Sequence, residues 1–321
     1  MADVNMGALL ATTLKNYNEK LVDNIHKGNA LFLLLKKQGA IKEESGGERI
    51  VQPIMYAKND TAASYSGWDQ LLVTPQEGID AAEFNWKQYS TSITISGEEL
   101  RKNAGSKTRV LNLLDARVKQ AEMSIREKIG EGIQSDGTGN GSKDLTGLKA
   151  MVSSTGTYGG INSATYPWWA ATKESTAATT LAIWRTQFNS ASIDGQDTPS
   201  LIATTQSVYE LYEGKLTYNA NYVSFQTKGE GEKVLGDAGY QTLGFKGKPV
   251  IWDSLIPAGY VWFLNLNHMK LVVHKDANFA VTDKLQPVNQ DGFVRHILFM
   301  GNLTCDRRKS FSYCDSVTSF A

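Results

Sequence analysis

The sequence predicts an α+β fold, and three features point to it. One long amphipathic helix lies between residues 106 and 134, strand patterns dominate residues 249–321, and a strand–helix alternation is inserted between them. A long helix whose sheet partners come from far along the chain is not a regular βαβ order.

The chain begins with an apolar, helix-prone stretch. Leu21, Val22, Ile25, Leu31, Phe32, Leu33 and Leu34 recur before Gly39, and Gly28 interrupts them. Asn29 is placed to cap a short helix that Gly39 ends. Residues 1–40 therefore read as an arm that must bury itself on its own chain or on a neighbour. Leu31, Phe32 and Leu33 are its candidate contacts with a neighbouring subunit.

An extended segment follows. Residues 49–56 form a strand pattern, and Pro53 marks it as an edge or ribbon strand. Residues 58–78 are polar and Gly-bearing, yet carry Tyr65, Trp68, Leu71 and Leu72. A returning strand is expected from Glu83 to Ser96. Phe84 and Trp86 share one phase of its alternation, and Tyr89, Thr91, Ile93 and Ile95 share the other. That switch predicts a bulge or strong twist near Gln88. Residues 41–96 thus read as one extended hairpin with a long tip, more than a compact domain usually holds without a use for it. Two-stranded ribbons are marginal alone, so neighbouring subunits are expected to support this one. Tyr65, Trp68 and Leu71 are the candidate contacts.

Ser96-Gly97-Glu98-Glu99 matches a capping box and opens a short helix that Gly105 closes. Ser106 then caps the long helix. Val110, Leu114, Val118, Ala121, Ile125, Ile129 and Ile133 repeat at three- and four-residue steps. Asp115–Lys119 and Glu122–Arg126 are four-residue charge pairs on the other face. At about 1.5 Å per residue the helix spans roughly 40 Å. It ends at residues 135–141, which read as a flexible connector.

The middle of the chain alternates. Leu181, Trp184 and Phe188 share a helix face, Leu201–Thr204 is a short strand after Pro199, and residues 207–216 form a helix with Val208, Leu211 and Tyr212 inward. Residues 146–250 form a small α/β module. Strands are expected at 249–252, 260–266, 270–274, 293–300 and 309–314.

Composition narrows the function classes. Lys plus Arg equals Asp plus Glu, 33 each, so the basic excess of a dedicated nucleic-acid binder is missing. No apolar run approaches the roughly 20 residues of a membrane span. The Met-Ala-Asp start lacks the pattern of a signal peptide, so the chain is expected in a cytosol and away from membranes. Cys305 and Cys314 are expected as packed free thiols. His26, His268, His274 and His296 are scattered, and no serine sits in a Gly-x-Ser-x-Gly motif. Gly137-Thr138-Gly139-Asn140-Gly141 follows a helix, where a dinucleotide loop would follow a strand. No catalytic, cofactor or metal site is expected, and the chain reads as a non-enzyme.

Two further strings are notable. Arg307-Arg308-Lys309 is the densest positive run, either solvated charge or a salt bridge to a neighbour through Arg307 and Arg308. Tyr166-Pro167-Trp168-Trp169 indicates core or interface, with a stacking platform for a sugar or base as the alternative.

The order of arm, extended loop, long helix, α/β module and late strands resembles the HK97-like capsid proteins of tailed bacteriophages. Local strings carry the same resemblance: Leu145-Thr146-Gly147-Leu148-Lys149-Ala150-Met151-Val152, Tyr158-Gly159-Gly160-Ile161, Tyr166-Pro167-Trp168-Trp169, and Gly244-Phe245-Lys246-Gly247-Lys248-Pro249-Val250-Ile251-Trp252-Asp253. They are specific as a set and weak singly, and the likeness covers essentially the whole chain. It implies an N-arm (1–40), an E-loop (41–96), a peripheral domain with the spine helix (97–145 and 251–321) and an axial domain (146–250). It implies a structural major capsid protein that self-assembles into hexamers and pentamers of an icosahedral shell around double-stranded DNA. A separate scaffolding protein, a portal, a decoration protein and weak non-specific contact with packaged DNA follow as partners. Some family members carry a cleaved N-terminal scaffolding segment. This chain starts almost at the arm, so scaffolding is expected as a separate protein or the segment was never there. Location would be the virion, and the host cytoplasm during assembly. Zero net charge fits subunits that must meet in large numbers without self-repulsion. An encapsulin-like cellular nanocompartment shell is the alternative with the same fold, and a soluble α/β enzyme the alternative from another class.

Overall fold

The structure is a computed structural model that describes residues 28–102, 107–193, 195, 197–218 and 243–321. Leu21, Val22, Ile25, Gly105 and Ser106 lie outside the described residues, as do the side chains of Val110, Leu114 and Asp115.

The first described helix, α1 (Ala30–Lys37), is capped twice. The Asn29 side chain accepts from the Phe32 amide at 2.9 Å, and the Asp253 carboxylate accepts from the Leu31 amide at 2.9 Å across 222 residues of sequence. Burial pushes the Asp253 carboxyl upward, against the pull of three backbone amides. Gly39, at φ 68°, ends the turn after α1.

Strand β1 (Ile41–Glu44) pairs in parallel with β13 (Met269–Val281). Strands β2 (Ile50–Met55) and β3 (Ile79–Phe84) form an antiparallel ribbon of their own, with Pro53 opposite Ala81. The expected single returning strand is in fact two. β3 ends at Phe84, Asn85 and Trp86 break the pairing, and β4 (Lys87–Ser96) runs along β14 (Gly292–Cys305) from Lys87↔Gly301 to Ser96↔Gly292. The phase switch in the sequence was therefore a change of sheet and not a bulge within one strand. The ribbon is correspondingly shorter than expected: it spans residues 50–84, while β1 and β4 lie in the core sheet β1-β13-β14-β4.

The capping box forms. The Ser96 amide donates to Glu99 Oε2 at 3.1 Å, and the Glu99 amide donates to Ser96 Oγ at 3.2 Å, opening α2 (Gly97–Lys102). Arg117 then ties that turn to the long helix α3 (Lys107–Gln134), reaching Glu99 Oε1 and the Thr94 carbonyl at 2.6 Å each. Ala121, Ile125, Ile129 and Ile133 of α3 are buried, and Glu122 pairs with Arg126 at 3.7 Å on its wet face.

Residues 135–142 form a defined turn, where a flexible connector was expected. The Asp136 carboxylate accepts from the Thr138 amide and hydroxyl at 2.9 and 2.7 Å, which holds its carboxyl below the usual range. The turn ends in the single short turn α4 (Gly139–Ser142), with Asn140, Gly141 and Ser142 at positive φ, and α5 (Leu148–Met151) follows. Gly147 enters α5 against the end of α3: a Cβ there would lie 2.3 Å from the Ile133 carbonyl oxygen.

A small hairpin, β5 (Thr157–Tyr158) with β6 (Ile161–Asn162), leads to β7 (Thr172–Ser175), β8 (Ala178–Thr179) and α6 (Leu181–Ser190). After these come β9 (Leu201–Thr204), α7 (Gln206–Tyr218), β10 (Leu243–Phe245), β11 (Lys248–Trp252), β12 (Val261–Leu264), β15 (Ser312–Asp315) and β16 (Ser319–Phe320). Six of them make a second sheet, β10-β11-β9-β12-β15-β7, and β8 pairs with β16. Residues 251–321 thus divide between the sheets. β13 and β14 join the first, and β12 and β15 join the second beside β9, so a boundary at residue 250 does not separate the two.

The second sheet is covered on both faces. Leu201, Ala203, Ile251, Trp262, Leu264 and Tyr313 pack into the core shared with α1, α3 and the first sheet. Their alternates Ile202, Val250, Val261, Phe263 and Cys314 pack with Trp184 and Phe188 of α6 and Val208 and Tyr212 of α7. Period-two alternation in register explains this division.

Arg308 joins the two regions. It is 1% exposed and donates through Nε to the Met151 carbonyl (2.7 Å), Nη1 to Trp169 (3.2 Å), and Nη2 to Ala150 (2.8 Å) and Thr155 (3.4 Å). The guanidinium sits 5.4 Å from the Tyr158 ring centroid. Arg308→Leu would take this donor from the Ala150, Met151 and Trp169 carbonyls, at about 1–3 kcal/mol each, while the Thr155 carbonyl keeps the Ser153 hydroxyl at 3.0 Å. The expected loss in equilibrium urea unfolding is at least about 3 kcal/mol, whereas exposed Lys309→Ala changes stability by less than about 0.5 kcal/mol. Gly147→Ala is expected to destabilise as well, because the group it would strike is backbone.

Candidate assembly surfaces

The ribbon is fixed at its base and bare at its tip. At the base, Tyr56 stacks on Trp168 with ring centroids 5.4 Å apart at 13°. Trp168 in turn meets Trp169 edge-on, and Trp169 is buried with its Nε1 donating to the Tyr158 carbonyl at 2.9 Å. The Glu83 amide donates to the Gly159 carbonyl at 3.0 Å, and Phe84 packs edge-on against Tyr158 at 5.0 Å. Arg49 and Glu83 pair across the base of the ribbon at 2.5 Å. The aromatic string at 166–169 is thus the anchor of the ribbon. Trp168 is in ring contact with Tyr56, Tyr166 and Trp169, and Tyr166 stays exposed.

Beyond the base, residues 57–78 contain no strand. Trp68 is fully exposed at 104%, and Tyr65, Leu71, Leu72, Val73 and Ile79 are exposed as well. An exposed apolar cluster of this kind marks an interaction site in a soluble protein.

The sequence-derived contact residues separate into two groups. Leu33 (46% exposed), Tyr65, Trp68, Leu71 and Arg307 face outward. Leu31, Phe32 and Arg308 do not, and for them the expectation of a neighbour contact is corrected. Leu31 and Phe32 fill the chain's own core through α1, and Arg308 spends its donors on four internal carbonyls. A second outward apolar group was missed. Val281, Leu285, Val288 and Leu298 are exposed where β13 and β14 meet. The available signal was Leu285 and Val288 standing alone in a polar run, Thr282 to Gly292.

A groove of about 730 Å³ lies between α1, α3 and the β13–β14 pair. Phe32, Leu33, Met123, Phe279, Ile297 and Phe299 line it. A second, of about 560 Å³, runs between the ribbon base and the turn after β14, with Lys58, His268, Arg307 and Lys309 on its walls.

Among the described residues no three His, Cys, Asp or Glu side chains are grouped to hold a metal. Both cysteines are free and buried, and burial pushes the Cys314 thiol up to about 12 and the Cys305 thiol further. His268 lies between Asp197 and Asp306, and among the described residues no hydroxyl or thiol nucleophile is bonded to it. No described helix is long and apolar enough to cross a membrane.

No protein-family model matches the sequence, and no curated protein sequence does either. Solved structures do match. The capsid subunit of cyanophage A-1(L) superposes at a TM-score of 0.70 with 16% identity, covering 95% of this chain and 98% of its own. The encapsulin of a holo-SrpI complex from Synechococcus elongatus gives 0.60 at 7% identity, covering 98% and 97%. The capsid of the Myoviridae phage XM1 gives 0.56 at 11%, covering 96% and 98%. The chain has the HK97-like capsid fold.

One prediction concerns the anchor. Trp168→Ala removes the Tyr56 stack, worth about 0.5–1.5 kcal/mol beyond area burial. Hydrogen exchange at the β2–β3 amides is expected to speed up, with β9 unchanged.

Proposed function

We propose that this chain is the major capsid subunit of a tailed bacteriophage: a non-enzymatic protein that assembles through hexamers and pentamers into an icosahedral shell around double-stranded DNA. The observation that carries the reading is the ribbon, anchored at its base and ending in an exposed Trp68 with Tyr65, Leu71, Leu72 and Val73, in a chain of this fold. Apolar surface of that kind is stabilised when a neighbour covers it, at about 25 cal/mol per Å². Leu33 and Arg307 are the further contacts proposed, together with the exposed group at 281–298. Contacts of one copy's ribbon with a different patch on the next are heterologous, and such contacts close into rings.

The phage reading is favoured over a cellular compartment by the stronger likeness to the cyanophage subunit, 0.70 against 0.60 in TM-score and 16% against 7% in identity. A scaffolding protein, a portal and a decoration protein are the expected partners, with weak non-specific contact to DNA from a chain of zero net charge. The assembled protein belongs to the virion, and assembly to the host cytoplasm.

Electron microscopy of the purified protein tests this. Closed shells are expected, and a small particle at every concentration would overturn the reading. Nuclease-protected DNA within shells from producing cells supports the phage assignment, while an enclosed enzyme without DNA supports the compartment. Trp68→Ala is expected to leave unfolding within about 0.5 kcal/mol of the parent. Its shell-forming threshold concentration should rise more than about tenfold, since a buried interface tryptophan is typically worth 2 kcal/mol or more. Deleting residues 58–78 should abolish shells while the subunit keeps its cooperative thermal transition.

A further inference from the structure

His268 lies in the turn between β12 and β13, with an acceptor at each ring nitrogen. Nδ1 is 2.7 Å from Asp306 Oδ1, and Nε2 is 2.5 Å from Asp197 Oδ2. The two carboxylates come from distant segments. Asp306 follows β14, and Asp197 precedes β9 and exchanges paired backbone hydrogen bonds with Ile193. Asn265 Nδ2 also donates to Asp197 at 2.5 Å, and Arg307 Nη1 approaches it at 3.5 Å. Lys58 and Lys309 line the same groove, and Arg308 is buried beside it. The charged groups facing His268 directly are therefore Asp197 and Asp306.

A neutral imidazole has one donor and one lone pair, whereas the imidazolium has two donors. Acceptors at both nitrogens require the charged form. We propose that Asp197, His268 and Asp306 form a proton-controlled latch, which fastens Asp197 and its backbone pair with Ile193 to the turns at residues 265–268 and 306–307 and loosens them when His268 becomes neutral. Either tautomer of the neutral ring leaves one carboxylate against a lone pair at hydrogen-bonding distance. The latch forms part of the groove wall opposite Met55, Tyr56 and Lys58, so its release changes the surface beside the ribbon base. This inference does not depend on shell assembly.

The hydrogen bond to Asp306 raises the His268 pKa above its ordinary value, burial opposes that rise, and Asp197 adds to it. A histidine raised in the folded state stabilises fully below its unfolded value of about 6.5, and that contribution is lost as pH rises through the folded value. The latch is thus closed in mild acid and opens toward alkaline pH.

Hydrogen exchange of the full chain between pH 6 and 9, corrected for intrinsic rates, tests it. Protection of the amides of Ile193 and Asp197 should fall by roughly tenfold, while the β9 amides stay protected. His268→Gln, which cannot titrate, should give low protection that does not vary with pH. Asp306→Asn should move the wild-type midpoint to lower pH. Wild-type protection that is constant across the range, or the same pH profile in His268→Gln, would overturn the latch. Should His268→Gln fail to fold, an unmoved midpoint in Asp306→Asn overturns it equally.

Discussion

The guanidinium of Arg308 is a buried cation whose hydrogen bonds all go to backbone carbonyls. Ala150, Met151, Thr155 and Trp169 supply them, the first two from the last turn of α5. Desolvation of the group is costly and lowers its pKa. The fork geometry of arginine offsets that cost by satisfying several acceptors from one side chain. The result is that the irregular segment 150–169 is held to the chain's C-terminal strands. The ribbon rests on that segment, through Trp168 beneath Tyr56 and Gly159 beneath Glu83. A surface that reaches outward thus depends on one that is locked inward.

The double-faced sheet has a comparable role. Strands β9, β12 and β15 are buried along their whole length, with one face given to α3 and the first sheet and the other to α6 and α7. Of these, β9 and β12 show no polar alternation and read as short apolar runs. Their two cores make the α6–α7 layer and the spine-helix layer one continuous body. The exposed ribbon tip and the 281–298 group then stand out from a well-packed frame, as expected of surfaces that find their cover on other copies.

His268 occupies a junction of another kind. Three segments distant in sequence meet around one ring, and the hold depends on a proton rather than on apolar area. Its place on the wall of the groove under the ribbon base sets it next to the surface on which the functional reading rests.

Local physics was legible in the sequence by itself. The capping box at Ser96–Glu99, the Asn29 cap, the inward positions of α3 and the edge character of Pro53 each depend on residues within one or two turns. So did the exposed Tyr65, Trp68 and Leu71, since large apolar residues in a polar, Gly-bearing tip have nothing nearby to pack on. Tertiary structure alone decided the rest. The alternation change after Phe84 was visible, but only pairing could show that β3 and β4 belong to different sheets. Arg308 and Arg307 are adjacent and chemically identical, yet one is a core pin and the other faces solvent. Leu31 and Leu33 likewise divide between core and surface by the rotation of a single helix. The reason is the same in each case: burial and pairing are set by what lies across the fold, and the partners of Leu31, Arg308 and β4 stand more than a hundred residues away along the chain.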